Sequence, residues 1–234
     1  MKRTLPNIKV ISFDADDTLW VNEPYFREAE VEICAILNEY GSPEEITRKI
    51  LRTESRNLPF YGYGIKGFIL SVIETAIEVT ERKIHADDIA KIIKFGHELM
   101  QKPVILLDDV ETVLQTLTKR NFKLIVATKG DLMDQERKLR KSGLAKYFHH
   151  IEIMSNKKES DYRALLSHLE IKPENFLMIG NSLKSDILPV LAIGGKAFHI
   201  PFHTTWEHEE VRPEEIENLD IVQFENLSQI LESI

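Results

Sequence analysis

Apolar residues along this chain gather in short runs separated by amphipathic stretches. The runs are "IKVISF" (8–13), "FKLIVAT" (122–128), "HIEIMS" (150–155), "FLMIG" (176–180), "KAFHIP" (196–201) and "DIVQF" (220–224). Several are apolar on both alternating faces, which predicts strands buried between two helical layers. Stretches with helical spacing lie between them: "VETVLQTLTKR", "DLMDQERKLRKSG", "DYRALLSHLE" and "DILPVLAIG". In the second of these, Asp131 is placed to cap the start and Gly143 to end it. Strand alternating with helix predicts an α/β domain with a parallel sheet and right-handed crossovers. No internal repeat or low-complexity segment interrupts it.

Residues 21–103 break this rhythm. No convincing strand is present there. "YFREAEVEICAILNEY", "EEITRKILRTESRN", "GFILSVIETAIEVT" and "ADDIAKIIKFGHELM" all carry helical periodicity, with Pro43, Pro59 and Pro103 near their boundaries. The pattern therefore divides the chain into a core at 1–20 and 104–234 and an all-helical insert at 21–103. An insert at that point is well placed to act as a lid over the mouth of a parallel sheet.

Composition narrows the function classes. The 234 residues are 43% apolar and 29% charged, with a net charge of −8. That balance gives no basic face for nucleic acid. No run of about 18 apolar residues exists to span a membrane. The first residues, "MKRTLPNIKV", are too short and too soon polar for a secretory leader. One cysteine, Cys34, excludes an intrachain disulfide and fits a reducing cytoplasm. Its apolar helical neighbours mark it as a buried structural thiol rather than a nucleophile.

The predicted strand ends carry the candidate chemistry, and ligands of open α/β sheets bind beyond those ends. The first strand runs into Asp14, Ala15, Asp16 and Asp17. Carboxylates this close raise one another's pKa unless a cation sits among them, and Mg²⁺ with its preference for oxygen would serve. The second strand ends in Thr128, Lys129 and Gly130, a hydroxyl and backbone N–H groups suited to cradling an anion, or simply a helix entry. The third leads to Lys157 and Lys158 at a helix start, where a cation opposes the helix dipole and so hints at function. The fourth ends "GNSLKSD", offering oxygens from Asn181, Ser182 and Asp186. Each feature alone also fits a capped helix or solvated turn. Their joint order is far more specific than any member.

In that order they resemble the haloacid dehalogenase-like hydrolase superfamily. "DADDT" resembles its first motif, Thr128 the second, Lys157 or Lys158 the third and "GNSLKSD" the fourth. The resemblance implies a Rossmann-like core with the first strand central, and the helical insert matches the family's cap. It implies Asp14 as nucleophile, and Asp16 as general acid/base whose main-chain carbonyl ligates Mg²⁺. Thr128 and Lys129 would bind phosphate together with Lys157, preferred over Lys158 because Tyr162 lies five residues on. Asn181 stands where the family commonly has an acid. It and Asp186 are the remaining candidate metal ligands beside Asp14 and Asp16, and the neutral amide implies weaker metal binding.

The implied activity is Mg²⁺-dependent hydrolysis of a small phosphomonoester through an aspartyl phosphate. Asp16 favours it over carbon-attacking dehalogenation, which needs no acid two residues after the nucleophile. The alternatives are a phosphomutase or other phosphotransferase, and a weakened metabolite-binding member. Within the insert, "PFYGYGIKGF" offers Tyr61, Tyr63 and Lys66 for substrate selection, or forms a packed interhelical turn. The spacing of His203 and His208 in "IPFHTTWEHEEV" fits no standard helical ligand pair. The acidic stretch "EHEEVRPEEIE" is expected to be a solvated face.

Overall fold

The computed structural model describes residues 7–234, and much of the leader question falls on residues 1–6, outside the described residues. Its sheet comprises β1 (Val10–Phe13), β2 (Lys123–Lys129), β3 (His150–Met154), β4 (Phe176–Gly180), β5 (Lys196–His199) and β6 (Val222–Gln223). Among the described residues the order is β3-β2-β1-β4-β5-β6, with all pairs parallel. This is the expected α/β Rossmann-like core, with β1 near the centre.

Both faces of the central strands β1, β2 and β4 are buried, which is why they read as nearly unbroken apolar runs. Ile11 and Phe13 of β1 join one core with Val113, Leu114 and Leu117 of helix α5 (Val110–Lys119). Val10 belongs to a second core with Tyr162, Leu165 and Leu166 of helix α7 (Glu159–His168). Burying each such side chain fully is worth about 1.5–3 kcal/mol.

The β1–β2–β3 progression runs toward one edge, and β4–β5–β6 toward the other. Reversal leaves a crevice beyond the carboxyl ends of β1 and β4. In register, Phe13 lies between Val126 and Ile179, so Asp14 emerges at that crevice. Helix α6 (Leu132–Ser142) follows β2; Asp131 Oδ1 accepts from the Asp134 N–H, and Gly143 at φ 71° ends the helix. After β4 the helical stretch starts earlier than its apolar spacing predicts. A π-helical segment, Leu183–Ile187, precedes α8 (Leu188–Ala192).

The chain divides into two compact units. The first runs up to Val21 and includes Val104–Lys129 and Glu136–Ile234; the second comprises Asn22–Pro103 with Gly130–Gln135. The short segment after β2 thus groups with the helical unit, although its sequence position suggests the core. The helical unit holds α1 (Glu23–Ile36), α2 (Pro43–Tyr61), α3 (Ile65–Val79) and α4 (Ala86–Gln101). Ser42 and Glu45 form a reciprocal capping box at the start of α2. That helix runs two residues past Pro59, so the proline ends it less sharply than the sequence suggests. Ile33, Ile46, Ile50, Phe68, Val72 and Ile92 build this unit's core, and Cys34 is buried with its Sγ 3.6 Å from Pro43 O.

Gly96 lets α4 approach α3: a Cβ there would stand 2.8 Å from Ile69 Cγ1. Alanine is the better helix former by about 1 kcal/mol, but overpacking a branched neighbour costs about 1–3 kcal/mol. Gly96→Ala is therefore expected to lower the thermal midpoint followed by circular dichroism, and a raised midpoint would show that the contact relaxes freely.

Candidate active site

The centre of the crevice is a buried ammonium between two carboxylates. Lys157 Nζ lies 2.5 Å from Asp14 Oδ1 and 2.6 Å from Asp186 Oδ1, with Lys157 and Asp186 almost fully enclosed. Lys158, one residue on, occupies the exposed N-cap position of α7 instead. Asp186 is placed by the wide turn after β4, where its Oδ2 accepts from the Ser182 N–H at 3.0 Å. Gly180 is required for that placement. A Cβ at Gly180 would stand 2.2 Å from Asp186 Oδ2, so no other residue leaves room for the carboxylate.

One ammonium facing two carboxylates leaves this pocket short of positive charge. Burial pushes the Asp14 carboxyl up to about 7; Lys157 opposes the rise, while Asp186 and Asp16 add to it. Burial disfavours the Lys157 ammonium, but Asp14 and Asp186 hold it well above the ordinary lysine range. Tyr162 supports the same wall, donating its hydroxyl to Ser185 O at 3.0 Å.

The adjacent acids of the first motif are sorted into different environments by the turn that follows β1. Leu19 N–H bonds to Ala15 O at 2.8 Å, and Asp17 adopts a left-handed φ of 60°. Asp14 faces Lys157. Asp16 instead meets Lys138 of α6, whose Nζ lies 2.6 and 2.8 Å from its two oxygens. Trp20 Nε1 donates to Asp16 Oδ1 at 2.7 Å. Thr18 links this turn to the fourth strand end: its hydroxyl donates to Asn181 Oδ1 and accepts from Asn181 N–H, both at 3.1 Å.

Thr128 is buried at the end of β2, next to β1. The ammonium of Lys129 turns toward Ser185 Oγ, 2.8 Å away, and ion-pairs with Glu209. Glu209 also accepts from the hydroxyls of Ser182 and Ser185. It comes from the loop after β5, within the acidic stretch expected to be a solvated face. That expectation fails at this residue, because one carboxylate of the run is turned inward by three donors. Burial disfavours its charge, yet Lys129 and the two serines lower its pKa to about 2. Neither Lys138 nor Glu209 was legible as a site residue. Lys138 sits among three other cations in α6, and Glu209 among acids with no distinguishing spacing.

The residues offered for substrate selection belong to the helical unit. Tyr61 donates its hydroxyl to Glu74 at 2.7 Å, Lys66 pairs with Asp131 at 2.9 Å, and Tyr63 lies half-buried in the turn between α2 and α3.

The donors of the core suit a hard divalent cation. Asp14 contributes a carboxylate whose pKa burial raises first and Asp186 and Asp16 raise further, and Asn181, whose Oδ1 accepts from Thr18, and the Asp16 main chain add neutral oxygens. Both oxygens of Asp186 already accept from protein donors.

Glu209 has a stability consequence. Its depressed pKa contributes stability that is fully present above about 4.5 and is lost as pH falls through about 2. Glu209→Ala is expected to cost about 3 kcal/mol at neutral pH, by leaving Lys129 without this partner in a largely buried place. In denaturant melts the gap from wild type should narrow as pH drops below 4.5. A gap unchanged by pH would mean that the carboxylate is not held as an anion.

Comparison with known proteins supplies the family. A haloacid dehalogenase-like hydrolase model matches residues 8–194. N-acylneuraminate-9-phosphatase from Mus musculus is 26% identical over 204 residues, covering 82% of each chain. Glyceraldehyde 3-phosphate phosphatase from Methanopyrus kandleri is 25% identical over 189 residues, covering 77% of this chain and 78% of the relative. A haloacid dehalogenase-like family hydrolase from Xanthomonas campestris superposes with a TM-score of 0.80 at 37% identity, covering 94% of this chain and 91% of the other. Phosphatases of this family generally use a divalent metal. Matched along most of its length in sequence and in fold, the chain belongs to the haloacid dehalogenase-like hydrolase family.

Proposed function

We propose that the protein is a Mg²⁺-dependent phosphatase acting on a small phosphomonoester. The observation that carries this reading is the buried Lys157 ammonium bridging Asp14 and Asp186 at the mouth of β1, with a second carboxylate, Asp16, two residues from the first. The phosphatase names of the relatives support it. A single buried cysteine agrees with a reducing cytoplasm.

An Asp14 oxygen attacks phosphorus in line, and the bond to the leaving oxygen breaks. Asp16 gives a proton to the departing alkoxide. It then takes one from the water that opens the aspartyl phosphate, releasing inorganic phosphate and restoring Asp14. Lys157 favours the anionic form of Asp14 and offsets charge on the transferring oxygens, while Asp186 positions Lys157. Thr128 and the backbone N–H groups after β2 receive the phosphoryl oxygens. Lys129 shapes that pocket through Ser185 and Glu209. Asp14, the Asp16 carbonyl and Asn181 would hold Mg²⁺, which neutralises anionic charge and lets nucleophile and substrate approach.

Purified protein with Mg²⁺ should release phosphate from p-nitrophenyl phosphate. Asp14→Asn should lower the rate by about 10³-fold or more, and Asp16→Asn by about 10²–10⁴. Activity surviving in Asp14→Asn would remove the covalent route. A wild type inert toward a broad phosphoester panel, yet binding a metabolite, would leave a binding protein.

The neutral ligand at 181 predicts a second outcome. Asn181→Asp should tighten Mg²⁺ binding by about tenfold in calorimetry, since a carboxylate replaces an amide on a hard cation. Unchanged affinity would place residue 181 outside the ligand set.

A further inference from the structure

Lys138 has no part in the chemistry just described, yet it is a buried cation in contact with the proposed proton carrier. It stands on the second turn of α6, its side chain 10% exposed. Its ammonium reaches both Asp16 oxygens, at 2.6 and 2.8 Å. Trp20 Nε1 meets one of those oxygens from the turn after β1. An aspartate has two rotatable side-chain bonds, and proton transfer succeeds only when an oxygen is held within hydrogen-bond reach of the leaving oxygen. A chelating ammonium and an indole N–H from separate elements reduce those rotamers to one. The Asp16 carboxylate nevertheless stays 24% exposed, so the grip leaves a side open to substrate.

We propose that Lys138 is a positioning residue that fixes the Asp16 carboxylate for proton transfer to the leaving group. The inference rests on the reading of Asp16 as general acid/base. It has a consequence that a merely structural ion pair would lack. An alkyl alkoxide needs its proton as the bond to phosphorus breaks, whereas p-nitrophenolate departs without one. Loss of Lys138 should therefore penalise alkyl phosphates selectively.

The test compares kcat/KM for glycerol phosphate and p-nitrophenyl phosphate in the Mg²⁺-loaded enzyme. Lys138→Ala should reduce the alkyl value about 10–100-fold, within the range of general acid catalysis, and the aryl value less than about threefold. Propylamine added to Lys138→Ala should restore part of the alkyl rate, and Lys138→Gln, which keeps an N–H donor, should fall between. Asp16→Asn provides the reference. If it lowers the alkyl-to-aryl ratio and Lys138→Ala and Lys138→Gln do not, the positioning role is overturned while the acid/base reading stands. If Asp16→Asn leaves the ratio unchanged, the acid/base reading fails, and the positioning role with it. Equal loss on both substrates in a Lys138→Gln protein with wild-type circular dichroism would mark a structural ion pair and overturn the proposal.

Discussion

The site depends on keeping a charged ammonium dry. Lys157 is buried, and removing a lysine from water costs several kcal/mol unless strong partners replace the lost hydration. Asp14 and Asp186 are those partners, at 2.5 and 2.6 Å. Everything around them serves that contact. Gly180 gives up its side chain so that Asp186 can approach, Ser182 N–H holds the other Asp186 oxygen, and the π-helical turn brings the aspartate back over the end of β4. The geometry is arranged for charge, since a well-packed apolar trio would be at least as stable.

Around that triad lie two further lysine–carboxylate pairs, Lys138 with Asp16 and Lys129 with Glu209. They divide the labour by position. The Asp14 pair stands where the proposed nucleophile emerges from the central strand. The Asp16 pair stands on the turn beyond it. The Glu209 pair ties the loop after β5 to the ends of β2 and β4, through Lys129, Ser182 and Ser185. Asp14 and Asp186 share the Lys157 ammonium, while Asp16 and Glu209 are each met by a lysine from another element.

Much of this was legible beforehand because it is written in local order. The strands announce themselves as runs apolar on both faces, since both faces are covered by helices. The helical insert shows as a change of period, and the capping pairs at Ser42–Glu45 and Asp131–Asp134 are a few residues long. Asp14, Asp16, Thr128, Lys157 and the "GNSLKSD" loop stand out because each lies at or just beyond a strand end, and strands of a parallel sheet all end on one side. Lys157 and Lys158 are not told apart by local order. Two adjacent lysines differ only in which way the backbone turns them, and one is buried while the other faces water.

The sequence by itself determined the period of each element, the family motifs and the side of the sheet that carries chemistry. All of these follow from neighbours along the chain. Only the tertiary structure decided the pairings. It chose Lys138 from a helix crowded with cations and Glu209 from a run of acids, and it left Tyr61 bonded to Glu74 and Lys66 to Asp131 within the helical unit. The physical reason is distance along the chain. Lys138 and Asp16 are 122 residues apart, and Lys129 and Glu209 are 80 apart. Contacts of that range exist only once the sheet order has brought their elements together, and no local pattern encodes which charge will find which.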